Sequence, residues 1–171
     1  MRYIKLLLIS VFALFLVLLG FSLLFPSHIR ISRAINVAAS QEKVLAVLSD
    51  LHSWDQWNSF IRTTPLTGRS LSDPSSGKGA YLHSDQLSVR EEAYSPDSMR
   101  FQWQQAKGRT FYGGFNLLQL RSDSLTVQWW FDFHFRWYPW EKLGSLVYDP
   151  QLGPVMEESL ASLKRYVENS P

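Results

Sequence analysis

The sequence predicts an α+β fold in which a curved antiparallel sheet of about six or seven strands wraps around one long C-terminal helix. One N-terminal transmembrane helix precedes this domain. Three patterns carry the prediction. Segments between residues 80 and 137 alternate apolar and polar side chains and are joined by short turns. Residues 151–169 place apolar side chains at helical spacing. Residues 6–25 contain no charged side chain over a length that crosses a bilayer.

The first segment, residues 6–25, is long enough as a helix to cross about 30 Å of hydrocarbon. The chain that follows it lacks a small-x-small cleavage motif, so a membrane anchor is favoured over a cleaved signal peptide. Arg2 and Lys5 precede the span, which predicts a single-pass protein with its N-terminus inside and its domain exported to the periplasm or the cell exterior. We therefore divide the chain into an anchor, residues 1–26, and a domain, residues 27–171.

The domain begins with a strand and small helices. Residues 28–37 alternate apolar and polar side chains, as a half-buried strand does. Ser40 is placed to cap a helix that ends near Asp50. Trp54 and Trp57 follow and, being three residues apart, share one face of a short helix or turn. These helices therefore come before most of the sheet.

A meander of strands makes up the middle of the domain. Residues 62–79 are rich in Pro, Gly, Ser and Thr, which predicts a long loop with at most one short strand. The strands predicted after this loop are residues 80–84, 87–94, 99–105, 109–120 and 125–137. Their links are too short for a helical crossover, so neighbouring strands run antiparallel. The last strand has one almost wholly aromatic face, and that face must be covered.

The predicted cover is the C-terminal helix, residues 151–169. Pro154 opens this helix, because a proline in the first turn loses no helical hydrogen bond. Its apolar stripe consists of Met156, Leu160, Leu163 and Val167. A stripe of this kind needs an apolar surface to lie on, and the aromatic strands supply it.

Composition limits the classes of function. The 17 basic residues include two before the span, which leaves 15 against 15 acidic residues, so the domain lacks the basic excess of a nucleic-acid-binding protein. The absence of cysteine removes disulfides, thiol nucleophiles and cysteine-ligated zinc. The four histidines form no i,i+4 pair, and we expect no metal and no cofactor. All seven tryptophans lie in the domain, which suits a large apolar interior or a pocket.

Several short motifs occur in a fixed order. They are Ile35-Asn36-Val37-Ala38, Leu48-Ser49-Asp50, Trp54-Asp55-Gln56-Trp57-Asn58, Gly77-Lys78-Gly79-Ala80 and the run from Gly153 through Met156-Glu157 to Leu163-Lys164. Together they resemble the START-related superfamily, also called SRPBCC, which includes birch-pollen-allergen-like proteins and polyketide cyclases, over residues 28–169. The resemblance implies a helix-grip fold with an apolar cavity between sheet and helix, used across the superfamily for lipids, sterols and polyketides.

Two sets of side chains are candidate sites. The predicted ligand-binding residues are Tyr81, Phe101, Trp103, Phe115, Trp129, Phe131, Phe133, Met156 and Leu160; alternatively, these side chains fill a closed core. Asp132, His134 and Arg136 project to the other side of the last strand, where they would suit acid–base catalysis. The alternative for this row is an ordinary solvent-facing surface.

These patterns favour a non-enzymatic, membrane-anchored domain that binds a hydrophobic small molecule or lipid. The expected partners are that ligand and the membrane, through residues 6–25, with no nucleic acid; the oligomeric state stays open. One alternative is a polyketide-cyclase-like enzyme using Asp132 and His134. The other is a protein-interaction domain with a filled core and with surface aromatics such as Trp54 and Trp140 as contacts.

Overall fold

The computed structural model describes residues 2–24, 26–106, 108, 110–121, 123–136 and 138–169. Within these residues the chain forms seven strands and six α-helices. In order they are α1 (Arg2–Leu23), β1 (His28–Val37), α2 (Gln41–Ser49), α3 (Trp54–Trp57), α4 (Ser59–Thr63), β2 (Ser70–Leu71), β3 (Tyr81–His83), β4 (Leu87–Tyr94), β5 (Ser98–Gln105), β6 (Thr110–Arg121), β7 (Ser124–His134), α5 (Pro139–Gly144), a 3₁₀ turn (Ser145–Val147) and α6 (Tyr148–Asn169).

The strands form one antiparallel sheet in the order β1-β7-β6-β5-β4-β3-β2. β1 pairs with β7 along its whole length, from His28 opposite His134 to Val37 opposite Leu125. The long helix α6 packs on β1 and β7 and is also contacted by α3 and α4. The predicted α+β fold, a curved antiparallel sheet around a long C-terminal helix, is therefore confirmed.

The two small helices explain the tryptophan-tryptophan-asparagine motif. Trp54 and Trp57 of α3 share a face, and their rings meet edge to face at 5.6 Å. Both side chains are fully buried, so the suggestion that Trp54 is a surface contact is wrong. The Asn58 side chain accepts hydrogen bonds from the backbone N–H groups of Phe60 and Ile61 and so caps α4. The motif thus places two rings in the core and starts the next helix.

The C-terminal helix begins earlier than the sequence predicted. α6 starts at Tyr148 and not at Gln151, so Pro154 lies inside the helix instead of in its first turn. A proline there lacks the N–H of a regular helical hydrogen bond. The helix nevertheless continues through it to Asn169, because its apolar stripe is held against the sheet.

Arg33 of β1 fastens α6 to the sheet. Its Nη2 donates to Asp149 Oδ1 at 2.9 Å and its Nε donates to Glu157 Oε1 at 2.7 Å. Gly153 lies between these two acids on the helix, and a Cβ at that position would collide with the Arg33 guanidinium. Arg33, the charged residue that interrupts the apolar face of β1, therefore explains why residue 153 is a glycine and where α6 lies on the sheet.

The segment between the last strand and α6 differs from the prediction. β7 ends at His134, short of the predicted end at residue 137, which itself lies outside the described residues. Pro139 then opens the short helix α5, which the sequence analysis did not predict. α5 contacts α1, so this segment links the N-terminal helix to the domain.

The N-terminal helix α1 is exposed along nearly its whole length. Its 22 residues correspond to about 33 Å of α-helix. By length and composition α1 is able to cross a membrane, and a signal sequence has the same properties.

Candidate functional site

A cavity of about 570 Å³ lies between the sheet and the start of α6. This volume falls within the range of about 300–1,000 Å³ that is usual for small-molecule sites. The residues that line it are Phe60, Gln105, Gly108, Thr110, Phe111, Phe131, Phe133, His134, Phe135, Glu141, Tyr148, Gln151 and Leu152. They come from α4, the β5–β6 hairpin, the end of β7, α5 and the first turns of α6.

The strand register places this cavity at the end of the sheet that is joined to α1. Thr110 opens β6 opposite Gln104 near the end of β5. His134 closes β7 opposite His28, the first residue of β1. The lining residues of the sheet thus lie at the end where the chain enters from α1.

Aromatic rings form a continuous wall of the cavity. The Phe111 ring lies 4.9 Å from that of Phe133 and 5.6 Å from that of Phe131. Tyr148 of α6 closes the series, with ring distances of 4.8 Å to Phe133 and 5.4 Å to Phe135. A wall of this kind offers contact area to an apolar molecule and few hydrogen bonds.

The polar lining residues are more exposed than the aromatic wall. Gln105, Thr110, His134 and Gln151 are exposed, whereas Phe131 and Phe133 are buried. The cavity therefore has an apolar base and a polar mouth.

Glu141 of α5 ties this helix to the chain that leaves β7. Its carboxylate Oε2 accepts a hydrogen bond of 2.8 Å from the backbone N–H of Arg136. Because Glu141 also lines the cavity, this contact fixes α5 beside the cavity wall.

Two of the nine predicted ligand-binding residues, Phe131 and Phe133, lie on the cavity wall. Tyr81 lies on β3, toward the opposite edge of the sheet, and is 36% exposed. The other six do not line the cavity and are 1% exposed or less: Phe101, Trp103, Phe115, Trp129, Met156 and Leu160. The centre of the domain is thus packed, as the filled-core alternative expects, and the cavity lies at its end.

Rings from α3 are the physical reason that the centre is closed. Trp54 stacks on Trp103 at 5.6 Å, and Trp57 meets Phe115 at 6.0 Å and Trp129 at 6.4 Å. Side chains of this size occupy the space that the sheet and α6 would otherwise leave between them.

Five further apolar wall residues were missed by the sequence analysis, although four had a signal. Phe135 has the same parity as Phe133 in the predicted last strand. Phe111 has the same strand parity as Phe115 and so faces the same side of β6. Tyr148 and Leu152 continue the helical stripe toward the N-terminus by steps of four, but the helix was expected to start later. Phe60 had no such signal, because α4 has only five residues and shows no helical periodicity.

Asp132, the first residue of the predicted polar row, is engaged by β1. Arg30 Nε and Nη2 donate to its two carboxylate oxygens at 2.7 and 2.6 Å. His28 Nε2 lies 3.4 Å from Asp132 Oδ1. The Arg30 hydrogen bonds hold the pKa of Asp132 below its ordinary value, so this carboxylate is a poor base near neutral pH.

The rest of the polar row lies in a different setting. His134 borders the cavity, and its ring lies 4.6 Å from that of His28. Arg136 is exposed and reaches Glu141 through its backbone. The structure therefore places Asp132 in a salt bridge to β1 and His134 at the mouth of the cavity, whereas Arg136 does not line the cavity.

Two adjacent glutamates on β4 face opposite sides, as the strand pattern predicts. Glu92 pairs with Arg100 at 3.6 Å, whereas Glu91 is 1% exposed, and burial raises the pKa of Glu91. They therefore do not act as a carboxylate pair. Among the described residues, no group of three or more His, Asp or Glu side chains is placed to hold a metal ion.

The sheet order, the long helix against the sheet and the cavity between them define a START-like helix-grip domain. The chain belongs to the family described as "Polyketide cyclase / dehydrase and lipid transport", whose model matches residues 28–168. The resemblance to the START-related superfamily is thereby confirmed. No curated protein matches the sequence.

Solved structures agree with this assignment at low sequence identity. A START superfamily protein from Mycobacterium smegmatis is 20% identical with a TM-score of 0.57, over 81% of this chain and 97% of that chain. Norcoclaurine synthase from Thalictrum flavum is 10% identical with a TM-score of 0.60, over 84% and 96%. DynU16, from the dynemicin biosynthetic locus, is 20% identical with a TM-score of 0.57; the match covers 84% of this chain and 48% of DynU16. These likenesses show the fold.

Proposed function

We propose that this protein binds a hydrophobic, lipid-like small molecule in the cavity at the α1 end of its domain. The observation that carries the proposal is the aromatic cavity of about 570 Å³ between the sheet and α6. The description of the protein's family, which names both cyclase or dehydrase activity and lipid transport, is consistent with such a ligand. The same cavity counts against a domain that acts only through a filled core.

The apolar wall accounts for binding without a charged anchor. Each 100 Å² of apolar surface that a ligand buries contributes about 2.5 kcal/mol before the cost of association. Exposed amides at the mouth, Gln105 and Gln151, suit a polar end group of the ligand. A molecule with an apolar body and one polar end therefore fits this cavity better than a highly charged one.

The proposal includes anchoring through α1, with the N-terminus inside and the domain exported. The helix is long and apolar enough to span a bilayer, and Arg2 and Lys5 precede its uncharged part. The cavity lies at the end of the domain that follows α1. A lipid-like ligand would therefore be held close to the membrane.

Native mass spectrometry of the full chain, purified from bacteria in detergent micelles, tests ligand binding. Leu152→Trp fills the cavity from α6, whereas Val155→Trp adds the same bulk to the same helix outside the cavity lining. We expect a discrete adduct that extracts into organic solvent from the wild type and Val155→Trp, and its loss in Leu152→Trp. Equal adducts on all three proteins, or none on any, would contradict binding in this cavity.

A second candidate is acid–base catalysis on the bound molecule. The specific observation is that His134 and Glu141 both line the cavity, whereas Asp132 is engaged by Arg30. Comparing the molecules extracted from the wild type with those extracted from His134→Gln distinguishes binding from catalysis. An enzyme would release different molecules from the two proteins, because the variant retains unreacted substrate, and a binding protein would release the same molecule from both.

A further inference from the structure

The segment between β7 and α6 exposes large apolar side chains. Trp140 of α5 is 63% exposed, and Leu146 and Val147 of the following 3₁₀ turn are 56% and 51% exposed. We call these three residues the apolar ridge. Beyond residue 24, the other large apolar side chains exposed among the described residues are spread over three strands: Tyr81, Tyr94 and Leu118. Within the described part of the domain, exposed apolar area is concentrated in the ridge, and a water-facing surface gives no reason for it.

Helix α5, which carries Trp140 of the ridge, lies beside the last turn of α1. The two helices α1 and α5 are in contact. Among the described residues of α1, Leu19 is half-buried, Ser22 is buried and the others are exposed; Leu19 and Ser22 lie three apart on one face of the helix. Lys142 of α5 is also buried, at 7% exposure. The contact with the domain is therefore confined to the C-terminal end of the apolar helix.

The length of α1 sets the depth of this contact. The uncharged part of α1 begins after Lys5, so residues 6–23 form about 27 Å of helix against about 30 Å of hydrocarbon. The last turn of α1, which contains Ser22, would lie at the boundary between hydrocarbon and head groups if α1 spans the bilayer. Trp140 and its stacked neighbour Tyr138, whose rings are 5.0 Å apart, are of the type that concentrates at this boundary.

The same segment borders the cavity. Glu141 lies directly after Trp140 and lines the cavity, and Tyr148 directly after Val147 does so too. A membrane in contact with the ridge would therefore also lie against the mouth of the cavity.

From these placements we infer that the apolar ridge inserts into the interface of the bilayer that α1 crosses. The cavity mouth then faces lipid, and an apolar ligand moves between the bilayer and the cavity without crossing water. This inference rests on the proposed anchoring through α1. It adds a second membrane contact, which fixes the orientation of the domain on the bilayer surface.

The chain contains no cysteine, so a single introduced cysteine carries a fluorescent label at one known position. The test uses the full chain in phosphatidylcholine vesicles that contain nitroxide-labelled lipid as a quencher. Leu146→Cys reports the ridge. Leu118→Cys is a matched control, because Leu118 is 57% exposed and Leu146 is 56% exposed. Val11→Cys reports α1 itself.

The control lies far from the predicted membrane surface. Leu118 pairs with Thr126, and Thr126 pairs with Asn36 of β1. Asn36 is eight residues along β1 from His28, or about 26 Å at strand spacing. The labels at Leu146 and Leu118 therefore differ in their distance from the α1 end of the sheet and hardly at all in exposure.

We expect nitroxide lipid to quench Leu146→Cys strongly and aqueous iodide to quench Leu118→Cys strongly, with Val11→Cys following the lipid quencher. If Leu146→Cys responds to iodide as Leu118→Cys does while Val11→Cys stays in lipid, the ridge inference is wrong and the anchor stands. If iodide reaches all three labels, the inference and the proposed anchoring are both wrong.

Discussion

Two aromatic regions share the inner side of one sheet and differ in what covers them. In the centre, Trp54 and Trp57 from α3 pack onto Trp103 and Trp129, and all four side chains are fully buried. At the α1 end, comparable rings face the start of α6 and enclose a cavity. An aromatic sheet face therefore does not by itself indicate a binding site. The side chains that neighbouring helices supply decide whether the space is filled.

The largest expected effect breaks the filled centre. Trp54→Ala removes a fully buried ring and the hydrogen bond of 2.9 Å from its Nε1 to the carbonyl of Leu48. We expect the free energy of unfolding to fall by about 3–5 kcal/mol. Urea titration of the full chain in detergent micelles, followed by near-ultraviolet circular dichroism, measures the loss.

Phe111→Ala is the matched truncation at the cavity. Its ring is only half-buried and faces space on one side, so it has fewer contacts to lose. We expect Phe111→Ala to lower the free energy of unfolding by less than half as much as Trp54→Ala does, and to enlarge the cavity. Equal losses from the two truncations would mean that the two regions are packed alike.

A smaller effect concerns the charge buried in the filled part of the sheet. Glu91 is opposite Phe101 in the β4–β5 pairing, and burial raises its pKa above the ordinary 4.5. Above pH 4.5 the unfolded chain loses this proton before the folded chain does, so stability falls as pH rises toward the folded-state pKa. Glu91→Gln removes the ionisation. We expect it to stabilise the protein by about 1 kcal/mol at pH 8, with the gain vanishing near pH 4.5.

Glu92→Gln is the control for this pH dependence. Glu92 faces the other side of the same strand, where it pairs with Arg100 at 3.6 Å. Unfolding of both variants and the wild type at pH 5 and pH 8 compares them directly. A gain at pH 8 from Glu92→Gln as large as that from Glu91→Gln would show that burial is not the cause.

The smallest effect concerns how α6 is held between the two regions. In a double-mutant cycle, Arg33→Met and Glu157→Gln should show a coupling of about 0.5–1 kcal/mol, because the pair is partly exposed. The same cycle with the neighbouring exposed Glu158 is the control. Equal coupling of Arg33 to Glu157 and Glu158, measured by urea unfolding, would argue against the observed clamp.

The fold was accessible from the sequence because its signals are local. Strand alternation in residues 28–37, the cap at Ser40 and the helical stripe from Met156 onward each predict an element that the structure contains. The sequence predicts too late a start for α6, because a proline such as Pro154 is favourable in the first turn of a helix. The helix in fact continues through Pro154, held by Arg33, which is distant in sequence.

The position of the cavity depends on packing between distant segments. Period-two alternation shows that Phe111, Phe115, Phe131 and Phe133 face the same side of the sheet. It does not show which of these rings are covered by side chains from the helices. That outcome depends on where α3 places Trp54 and Trp57. For the same reason Asp132 reads as a free carboxylate in the sequence and is paired with Arg30 in the fold.

The most direct test of the account is photolabelling of the full chain in phosphatidylcholine vesicles with a palmitic acid that carries a diazirine, followed by peptide mapping. Labelling of α1 serves as the internal control for insertion. We expect additional label in the cavity segments, residues 110–111, 131–135 and 148–152, and its loss in Leu152→Trp but not in Val155→Trp. Label confined to α1 would contradict the claim that the cavity holds an apolar ligand.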